Sequence, residues 1–357
     1  MIPIAKPYLG EEEVNAVREV LESGIIASGP RVEEFEKRFA DFVNTKYAIA
    51  VTSGTVALHL ALLSLDIKED DEVIVPSFSF IASANSVLFC NAKPVFCDVD
   101  QRTFNIDVTK IKNLITENTK AIMPVHLYGQ SADIDPMYEI AEEHGISIIG
   151  DACQAHGAKY KGNMVGSLGD VECFSFYPTK NMTTGEGGML TTDSSDIAEK
   201  ALSIRNHGRQ KTKWGYEHGR IGYNYRMTDI SAAIGLEQLK RLPDFIKKRQ
   251  ENARFLSENL KNVEIPYVLA DTEHVYHQYT IKSDNRARLI EVLKTNEIGF
   301  GIYYPKPLHF YDHLRGFGHN NLKNSENLAE KVLSIPVHPA VRKEDLEKIV
   351  QVINTNF

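Results

Sequence analysis

The chain has 357 residues, a length that suits one large and one small domain. Hydrophobic residues make up 43% of it and charged residues 25%, which is close to the average of soluble globular proteins and excludes a disordered or fibrous chain. The formal net charge is −8, so the chain lacks the dense positive field that general nucleic-acid binding needs.

Two stretches without formal charge, residues 47–65 and 73–92, are long enough to be tested as membrane spans. Polar residues interrupt both, whereas a span needs about 20 mostly apolar residues, so neither is expected to cross a membrane. The N-terminus lacks the apolar stretch of a signal peptide, and the four cysteines form no CxxC pair. We therefore expect a cytoplasmic protein with reduced, buried thiols.

Short apolar runs alternate with helical patterns over the first two-thirds of the chain. The runs lie at residues 48–51, 73–75, 94–96, 121–125 and 146–149. Continuous apolar strands separated by helices are typical of an α/β fold, in which helices cover both faces of a mostly parallel sheet. Such sheets bind ligands beyond the C-terminal ends of their strands, so the polar residues after each run are the candidate site residues.

A long helix is predicted from about Thr228 to Leu260. Beyond it we expect a strand at residues 274–282, a helix at 285–296, a strand at 300–304 and two terminal helices. These elements predict a smaller α+β C-terminal domain. The domain boundary is expected inside the long helix, with a large cofactor-binding domain at residues 1–240 and the small domain at residues 241–357.

Most common catalytic signatures are absent from the sequence. It contains neither a GxSxG nucleophile elbow nor a GxxxxGK[ST] phosphate loop, and Leu190 occupies the third glycine position of the GxG segment that begins at Gly185. His309 and His313 are four residues apart but form no HExxH motif, which favours two surface or pocket histidines. We expect no metal site.

Two charged residues follow predicted strands, where burial is costly. Asp151 comes shortly after the apolar run 146–149, and a buried carboxylate there needs a cationic partner. Lys180 lies between an apolar strand and the glycine-rich turn 185–188, a setting in which the pKa of a lysine falls and its amine becomes a nucleophile toward carbonyls. Taken alone, Lys180 is better explained by a side chain that extends to solvent.

Two further features of the sequence favour a catalytic role for Lys180 over a side chain that extends to solvent. The Ser53-Gly54-Thr55 turn joins a predicted strand to a helix, and the N–H groups and dipole of a helix start are suited to a phosphate. Phe80 follows another strand and can stack on a flat aromatic ring. With Asp151 and Lys180, these features meet the requirements of pyridoxal 5′-phosphate (PLP). Lys180 would form an imine with its aldehyde, and Asp151 would pair with its protonated pyridine nitrogen.

The chain resembles the DegT/StrS family of PLP-dependent sugar aminotransferases, which share the fold of aspartate aminotransferase (fold type I). The resemblance covers nearly the whole chain. It is carried by the segments TSGT (52–55), PSFSF (76–80), PVHLYG (124–129), DACQAHG (151–157), FSFYPTK (174–180) and GYNYRMTD (222–229). It implies a large domain with a mostly parallel seven-stranded sheet sandwiched by helices, and a smaller α+β C-terminal domain.

The resemblance also implies roles for individual residues. Lys180 matches the Schiff-base lysine, Asp151 matches the partner of the pyridine nitrogen, and Gln154 matches the residue that bonds the ring hydroxyl. Phe80 matches the ring-stacking position, which other members fill with Trp or Tyr.

Several further matches concern the phosphate of the cofactor. Gly54, Thr55 and Ser175 match phosphate ligands, and Ser53 opens the same turn. Asn224 matches a residue that reaches the phosphate from the other subunit. The resemblance therefore implies a homodimer with shared active sites.

The substrate end is predicted from the segment at residues 301–309, which is similar to the YPxPLH stretch of members that aminate a 3-keto sugar. This similarity assigns Tyr304 and His309 to the sugar pocket. The alternative is that Tyr304 packs beneath a proline-bounded loop and His309 bonds backbone. A sugar-linked diphosphate also needs cations, for which the candidates are Arg205, Arg209, Lys211, Lys213, Arg220 and Arg226.

The resemblance implies a ping-pong transamination, in which L-glutamate donates its amino group to PLP and a nucleotide-linked keto sugar then receives it. A UDP-linked 3-keto acetamido sugar, or its uronic acid, is the expected acceptor, in surface-polysaccharide and amino-sugar biosynthesis such as that of lipopolysaccharide O-antigen. A dTDP-linked 3-keto-6-deoxyhexose and a keto-cyclitol are the alternatives. A regulator without turnover is disfavoured because Lys180 is present and no DNA-binding module is seen.

Overall fold

The computed structural model describes residues 1–318 and 321–356. The strands in chain order are β1 (Tyr47–Val51), β2 (Glu72–Pro76), β3 (Lys93–Cys97), β4 (Thr119–Ile122), β5 (Ser147–Asp151), β6 (Lys159–Tyr160), β7 (Asn163–Met164), β8 (Val171–Ser175), β9 (Gly188–Thr192), β10 (Arg209–Thr212), β11 (Gly215–His218), β12 (Thr272–Glu273), β13 (Tyr279–Lys282) and β14 (Val332–Ile335). The helices are α1 (Glu11–Ser23), α2 (Pro30–Val43), α3 (Gly54–Ser64), α4 (Ala82–Phe89), α5 (Val108–Ile111), α6 (Asp135–His144), α7 (Ser195–Arg205), α8 (Asp229–Asn259), α9 (Arg286–Thr295), α10 (Lys323–Lys331) and α11 (Lys343–Asn356).

The largest sheet has seven strands in the order β1-β9-β8-β5-β4-β2-β3. Strand β9 runs antiparallel to its neighbours β1 and β8, and the pairs from β8 to β3 are parallel. The predicted mostly parallel α/β sheet is therefore confirmed. All five apolar runs named from the sequence lie in or directly beside its strands.

Apolar side chains fill a core on each face of this sheet. Adjacent residues of a strand point to opposite faces, and β5 shows the result. Ile148 belongs to the core that contains Phe39 of α2, whereas Ile149 belongs to the core that contains Leu58 of α3. Because both faces are covered by helices, a ligand can reach the sheet only at the ends of its strands.

A third core belongs to the C-terminal part of the chain. It gathers Leu256 from the end of α8, Tyr279 from β13, Leu333 from β14 and Ile353 from α11. Strands β13 and β14 form an antiparallel pair. Helix α8 contributes to the first core as well, so the expected division near residue 240 falls inside an element shared by both parts and stays a prediction.

The C-terminal elements correct two expectations. The strand predicted at 274–282 is shorter, because β13 begins at Tyr279. The strand predicted at 300–304 is wrong, because the structure gives these residues only an isolated bridge between Gly301 and Ser334. The predicted helix at 285–296 and both terminal helices are confirmed as α9, α10 and α11, and β14 lies unpredicted between the last two.

Within residues 1–318 and 321–356, none of the helices is both long and apolar enough to cross a membrane. The four cysteines all lie in this range and are unpaired; Cys90, Cys97 and Cys173 are buried and Cys153 is half-buried.

Candidate active site

A cavity of about 750 Å³ opens where several elements of the large sheet end. Asp151 is the last residue of β5, Ser175 is the last residue of β8, and Gly54 begins α3 directly after β1. The predicted site residues that line this cavity are Ser53, Gly54, Thr55, Phe80, Asp151, Gln154, Ser175, Lys180 and Tyr304. The structure thus brings together side chains that are spread over some 250 positions of sequence, as expected for strand ends that meet at one edge.

The start of helix α3 forms one wall of the cavity. Ser53 is its N-cap, and the Ser53 hydroxyl accepts a hydrogen bond from the Val56 N–H at 3.3 Å. A Cβ on Gly54 would lie 2.6 Å from Ser175 Cβ and 2.8 Å from Cys153 Sγ, so only glycine allows this approach. The first N–H groups of a helix lack partners within it, so this wall is suited to an anion.

Asp151 is held at the end of β5 with 5% of its surface exposed. Its Oδ2 accepts a hydrogen bond from Ser83 Oγ at 2.7 Å, and its Oδ1 accepts one from the Cys153 N–H at 3.2 Å. Both oxygens of the carboxylate therefore have donors from the protein, which fixes the plane of the group before any ligand binds.

Lys180 is half-buried and follows a turn in which its N–H donates to the Tyr177 carbonyl at 2.9 Å. Burial lowers the pKa of the Lys180 amine, and the charges of Cys153 and Asp151 oppose that effect. Burial also raises the pKa of the Cys153 thiol well above its ordinary value, so this thiol is protonated and lends the amine little negative charge. The lowered pKa makes the neutral, nucleophilic form of the amine easier to reach than in an ordinary lysine.

Gln154 and Tyr304 are joined by a hydrogen bond at the cavity. Gln154 Nε2 donates to the Tyr304 hydroxyl at 2.9 Å, while Gln154 Oε1 accepts from the Tyr128 N–H at 2.9 Å. These two bonds fix which end of the amide faces the cavity. Burial raises the pKa of Tyr304, which keeps its hydroxyl protonated. The ring of Phe80 lies 6.0 Å from that of Tyr304, and Phe80 is 52% exposed at the mouth.

Three predicted residues do not line this cavity. Arg226 donates to Asn206 Oδ1 at 2.6 Å, and the backbone of Asn224 forms a bridge to that of Asn206. His309 is 6% exposed, with Nε2 3.3 Å from Glu326 Oε1, and borders a separate open cavity. His309 is kept out of the cavity because the Leu308 N–H donates a hydrogen bond to the Ser77 carbonyl at 2.7 Å. This bond anchors the chain after the two prolines away from the Tyr304 side chain.

Arg205 and Arg209, two of the predicted cations of the segment 205–226, have other partners. Arg205 donates to the carboxylate of Glu36 and, at 2.8 Å, to the Ala50 carbonyl, so it is part of the folded core of the large domain. Arg209 stacks on the ring of Tyr216 at 4.2 Å. The hairpin β10–β11 that holds Arg209 and Lys211 is mostly exposed, with Trp214 at its tip 89% exposed.

Some cavity residues were not predicted from the sequence. They are Leu58, Ala82, Cys153, Tyr177, Thr179, Glu186, His277, Gln278 and Tyr303. Burial lowers the pKa of His277 well below its ordinary value, so this imidazole is neutral beside Lys180. The sequence pattern places His277 inside a strand, whereas β13 begins two residues later and leaves it in a loop. His277 lies just before an apolar run, and a strand predicted to start at that run would have placed His277 in the preceding loop.

The model of the DegT/DnrJ/EryC1/StrS aminotransferase family matches residues 7–354. The chain belongs to this family.

Two relatives in the DegT/DnrJ/EryC1/StrS family match almost end to end. The GDP-perosamine synthase of Caulobacter vibrioides is 40% identical over 99% of this chain and 97% of its own. The UDP-N-acetyl-3-dehydro-alpha-D-glucosamine 3-aminotransferase of Acidithiobacillus ferrooxidans is 37% identical over 97% of this chain and 94% of its own. The PLP form of Spr1654 from Streptococcus pneumoniae superposes with a TM-score of 0.94, at 28% identity, over 99% of this chain and 98% of that one.

The predicted fold type I architecture, the enzyme class and the cofactor are thereby confirmed. The chain is a PLP-dependent aminotransferase. The cavity fits this cofactor on its own evidence: a cradle that only glycine permits at Gly54, a fixed buried carboxylate at Asp151 and a desolvated amine at Lys180.

Proposed function

We propose that this enzyme moves the amino group of L-glutamate to the C3 keto group of a UDP-linked 2-acetamido sugar or its uronic acid, and that it does so as a homodimer. The observation that carries the proposal is the single cavity in which Lys180, Asp151 and the Ser53-Gly54-Thr55 turn meet. The Acidithiobacillus relative, named for a UDP-linked 3-dehydro sugar, supports the acceptor. The YPxPLH-like segment at 301–309 supports the same carbon.

PLP, when bound, supplies an aldehyde that accepts an amino group and a ring that takes up electrons from the α-carbon of the donor. Lys180 holds the aldehyde end, because its burial favours the neutral amine that attacks a carbonyl. With its amine free, Lys180 Nζ would take the proton from the α-carbon of the donor and deliver it to the cofactor carbon that carried the aldehyde.

The other cavity residues hold and orient the group. Asp151 presents a fixed carboxylate to the pyridine nitrogen, and Gln154 presents its amide to the ring hydroxyl. The Ser53-Gly54-Thr55 turn and Ser175 receive the phosphate at the start of α3. Phe80, at the mouth of the cavity, would stack on the cofactor ring, and Tyr304 lines the cavity beside it as part of the proposed sugar pocket.

Asn224 and Arg226 act across a subunit interface in this proposal. Both lie outside the cavity of their own chain, on a segment next to the exposed hairpin β10–β11. A second copy would bring Asn224 to the phosphate and Arg226 to the nucleotide-sugar.

The unpaired thiols of the chain agree with the reducing setting of the cytoplasm.

A second candidate acceptor is a GDP-linked keto sugar. The GDP-perosamine synthases of Caulobacter vibrioides and Escherichia coli O157:H7 are 40% and 37% identical to this chain, so identity does not favour the UDP-linked relative. The dTDP-linked 3-keto-6-deoxyhexose stays a third candidate.

The acceptor is tested with a panel of UDP-, GDP- and dTDP-linked keto sugars, each incubated with the holoenzyme and L-glutamate. The expected result is 2-oxoglutarate and an amino product, detected by mass, from the UDP-linked 3-keto acetamido sugar, with Lys180→Ala as the inactive control. Product from a GDP- or dTDP-linked sugar alone would overturn the assignment of the nucleotide. Turnover with another amino donor and none with glutamate would overturn the donor.

A further inference from the structure

We propose that Ser83 and Ser79 form a hydroxyl relay that orients Asp151 toward the cofactor, with Ser83 as a positioning residue. This inference rests on the proposed role of Asp151 at the pyridine nitrogen. The two serines are not among the cavity-lining residues, so any effect they have on the cofactor acts through another group.

The relay is a chain of two short hydrogen bonds. Ser83 Oγ donates to Asp151 Oδ2 at 2.7 Å, and Ser79 Oγ lies 2.9 Å from Ser83 Oγ. A hydroxyl carries one proton, and that of Ser83 is directed to the carboxylate, so Ser79 is the donor between the two serines. The exposed fractions are 2% for Ser79, 0% for Ser83 and 5% for Asp151, so water does not compete for these bonds.

The local fold explains why the serines are rigid. Ser79 lies in the turn after β2 that also places Phe80 on the cavity, and Ser83 lies in the first turn of helix α4, which begins at Ala82. The N-terminus of a helix carries a partial positive charge, which favours the nearby carboxylate of Asp151. The helix therefore places the Ser83 hydroxyl on one oxygen of that carboxylate, and the turn places the Ser79 hydroxyl behind that of Ser83.

The consequence is a carboxylate that cannot rotate. Ser83 holds Oδ2 and the Cys153 N–H holds Oδ1, so rotation about the last side-chain bond would break both hydrogen bonds. The lone pairs of the Asp151 oxygens that these two bonds do not use therefore keep one direction, into the cavity that Asp151 lines. Fixing a ligating group before binding removes an entropic cost from the binding step. Ser83 is thus inferred to strengthen cofactor binding without touching the cofactor.

The test is a double-mutant cycle read by calorimetry. The titrant is pyridoxamine 5′-phosphate, which carries an amine in place of the aldehyde and so binds apoenzyme without a bond to Lys180. Ser83→Ala is expected to weaken binding about tenfold in the wild-type background, the loss of about one charge-assisted hydrogen bond. In an Asp151→Ala background the same change is expected to have less than about a twofold effect, since the group it orients is gone.

Matched variants separate positioning from a general packing role. Ser83→Thr keeps the hydroxyl and should retain binding, and Ser79→Ala should weaken it by a smaller factor in the same direction. Ser86→Ala is the control, because Ser86 is equally buried in α4 but donates to the Ser83 carbonyl at 3.1 Å rather than to Asp151. If Ser83→Ala does not fold, Ser79→Ala in the two backgrounds gives the same cycle.

Two outcomes would overturn the relay: wild-type affinity in the serine variants, or an equal loss in both backgrounds. The proposed role of Asp151 fails separately, if Asp151→Ala alone binds pyridoxamine 5′-phosphate as tightly as the wild type.

Discussion

At the scale of single residues, the site depends on opposite demands at Lys180 and Asp151. A nucleophilic amine must lose its charge, whereas a carboxylate that pairs with a pyridinium must keep it. At Lys180, desolvation lowers the pKa of the amine, and no anion among the described residues is in hydrogen-bonding contact with it. At Asp151, each oxygen of the carboxylate has a hydrogen-bond donor.

The Lys180 amine is predicted to titrate below its ordinary value of 10.5, because burial penalises its charged form. Because its pKa is lowered, the amine reaches its reactive neutral form at a lower pH. Competitive acetylation of the apoenzyme at a series of pH values, read by peptide mass, should therefore give Lys180 a midpoint below that of Lys93. Lys93 is the control because the carboxylate of Asp70, 2.7 Å away, raises its pKa. A Lys180 midpoint at or above that of Lys93 would contradict this reasoning.

Residues that follow apolar runs were predictable because strand direction alone brings them to one edge of the sheet. Lys180 and Asp151 lie in the cavity for this reason, whereas the place of Gln154 there was implied by the family resemblance. Arg205 was not predictable in the same way. Its partner Glu36 is distant in sequence, and only the packing of α2 against β1 shows that this arginine stabilises the fold.

At the scale of elements, the junction between β1 and α3 determines how the cofactor cradle is built. Ser53 caps the helix, and Gly54 lets its first turn approach the end of β8. Neither the strand nor the helix could supply the proposed phosphate site alone, because an anion there would lie in the gap between them.

Gly54→Ala is predicted to impair this junction. The new methyl would meet Ser175 Cβ at 2.6 Å and Cys153 Sγ at 2.8 Å, and such overpacking costs about 1–3 kcal/mol. We expect weaker binding of pyridoxamine 5′-phosphate by calorimetry and a lower free energy of unfolding in urea. Gly316→Ala is the matched control, since no atom lies within 4 Å of its added carbon. Equal affinity and stability in the two variants would show that the close approach is unimportant.

The apolar runs predicted the parallel strands within a few residues, because buried strands in such sheets are continuously apolar. The C-terminal part was harder. Residues 300–304 have the composition of a strand, but β14 forms its ladder with β13 and only an isolated bridge with Gly301. Strand formation there depends on a partner, which composition does not report.

At the scale of the whole molecule, the exposed segment after α7 is the surface where we propose that a second subunit packs. Trp214 is 89% exposed and Ile221 is 84% exposed, an unusual situation for large apolar side chains. Asn224 follows them and lies outside its own cavity. These features agree with a homodimer in which this segment reaches the neighbouring site.

A mixed dimer tests that arrangement. Lys180→Ala and Asn224→Ala chains, each inactive alone, are coexpressed with different affinity tags and the heterodimer is isolated. One of its two sites combines an intact Lys180 with the Asn224 of the other chain, so about half of the wild-type activity per dimer is expected. An inactive heterodimer of normal mass, or full activity of the Asn224→Ala homodimer, would show that Asn224 does not act across the interface.

The central claim is that Lys180 in this cavity bonds the cofactor, and borohydride reduction tests it most directly. The holoenzyme is reduced to convert the carbon–nitrogen double bond into a stable single bond, and is then digested and mapped by mass spectrometry. We predict the mass of the reduced cofactor on Lys180, and neither adduct nor transamination in Lys180→Ala, with Lys161→Ala, at an exposed lysine, as the active control. An adduct on another lysine, or wild-type turnover by Lys180→Ala, would contradict the account.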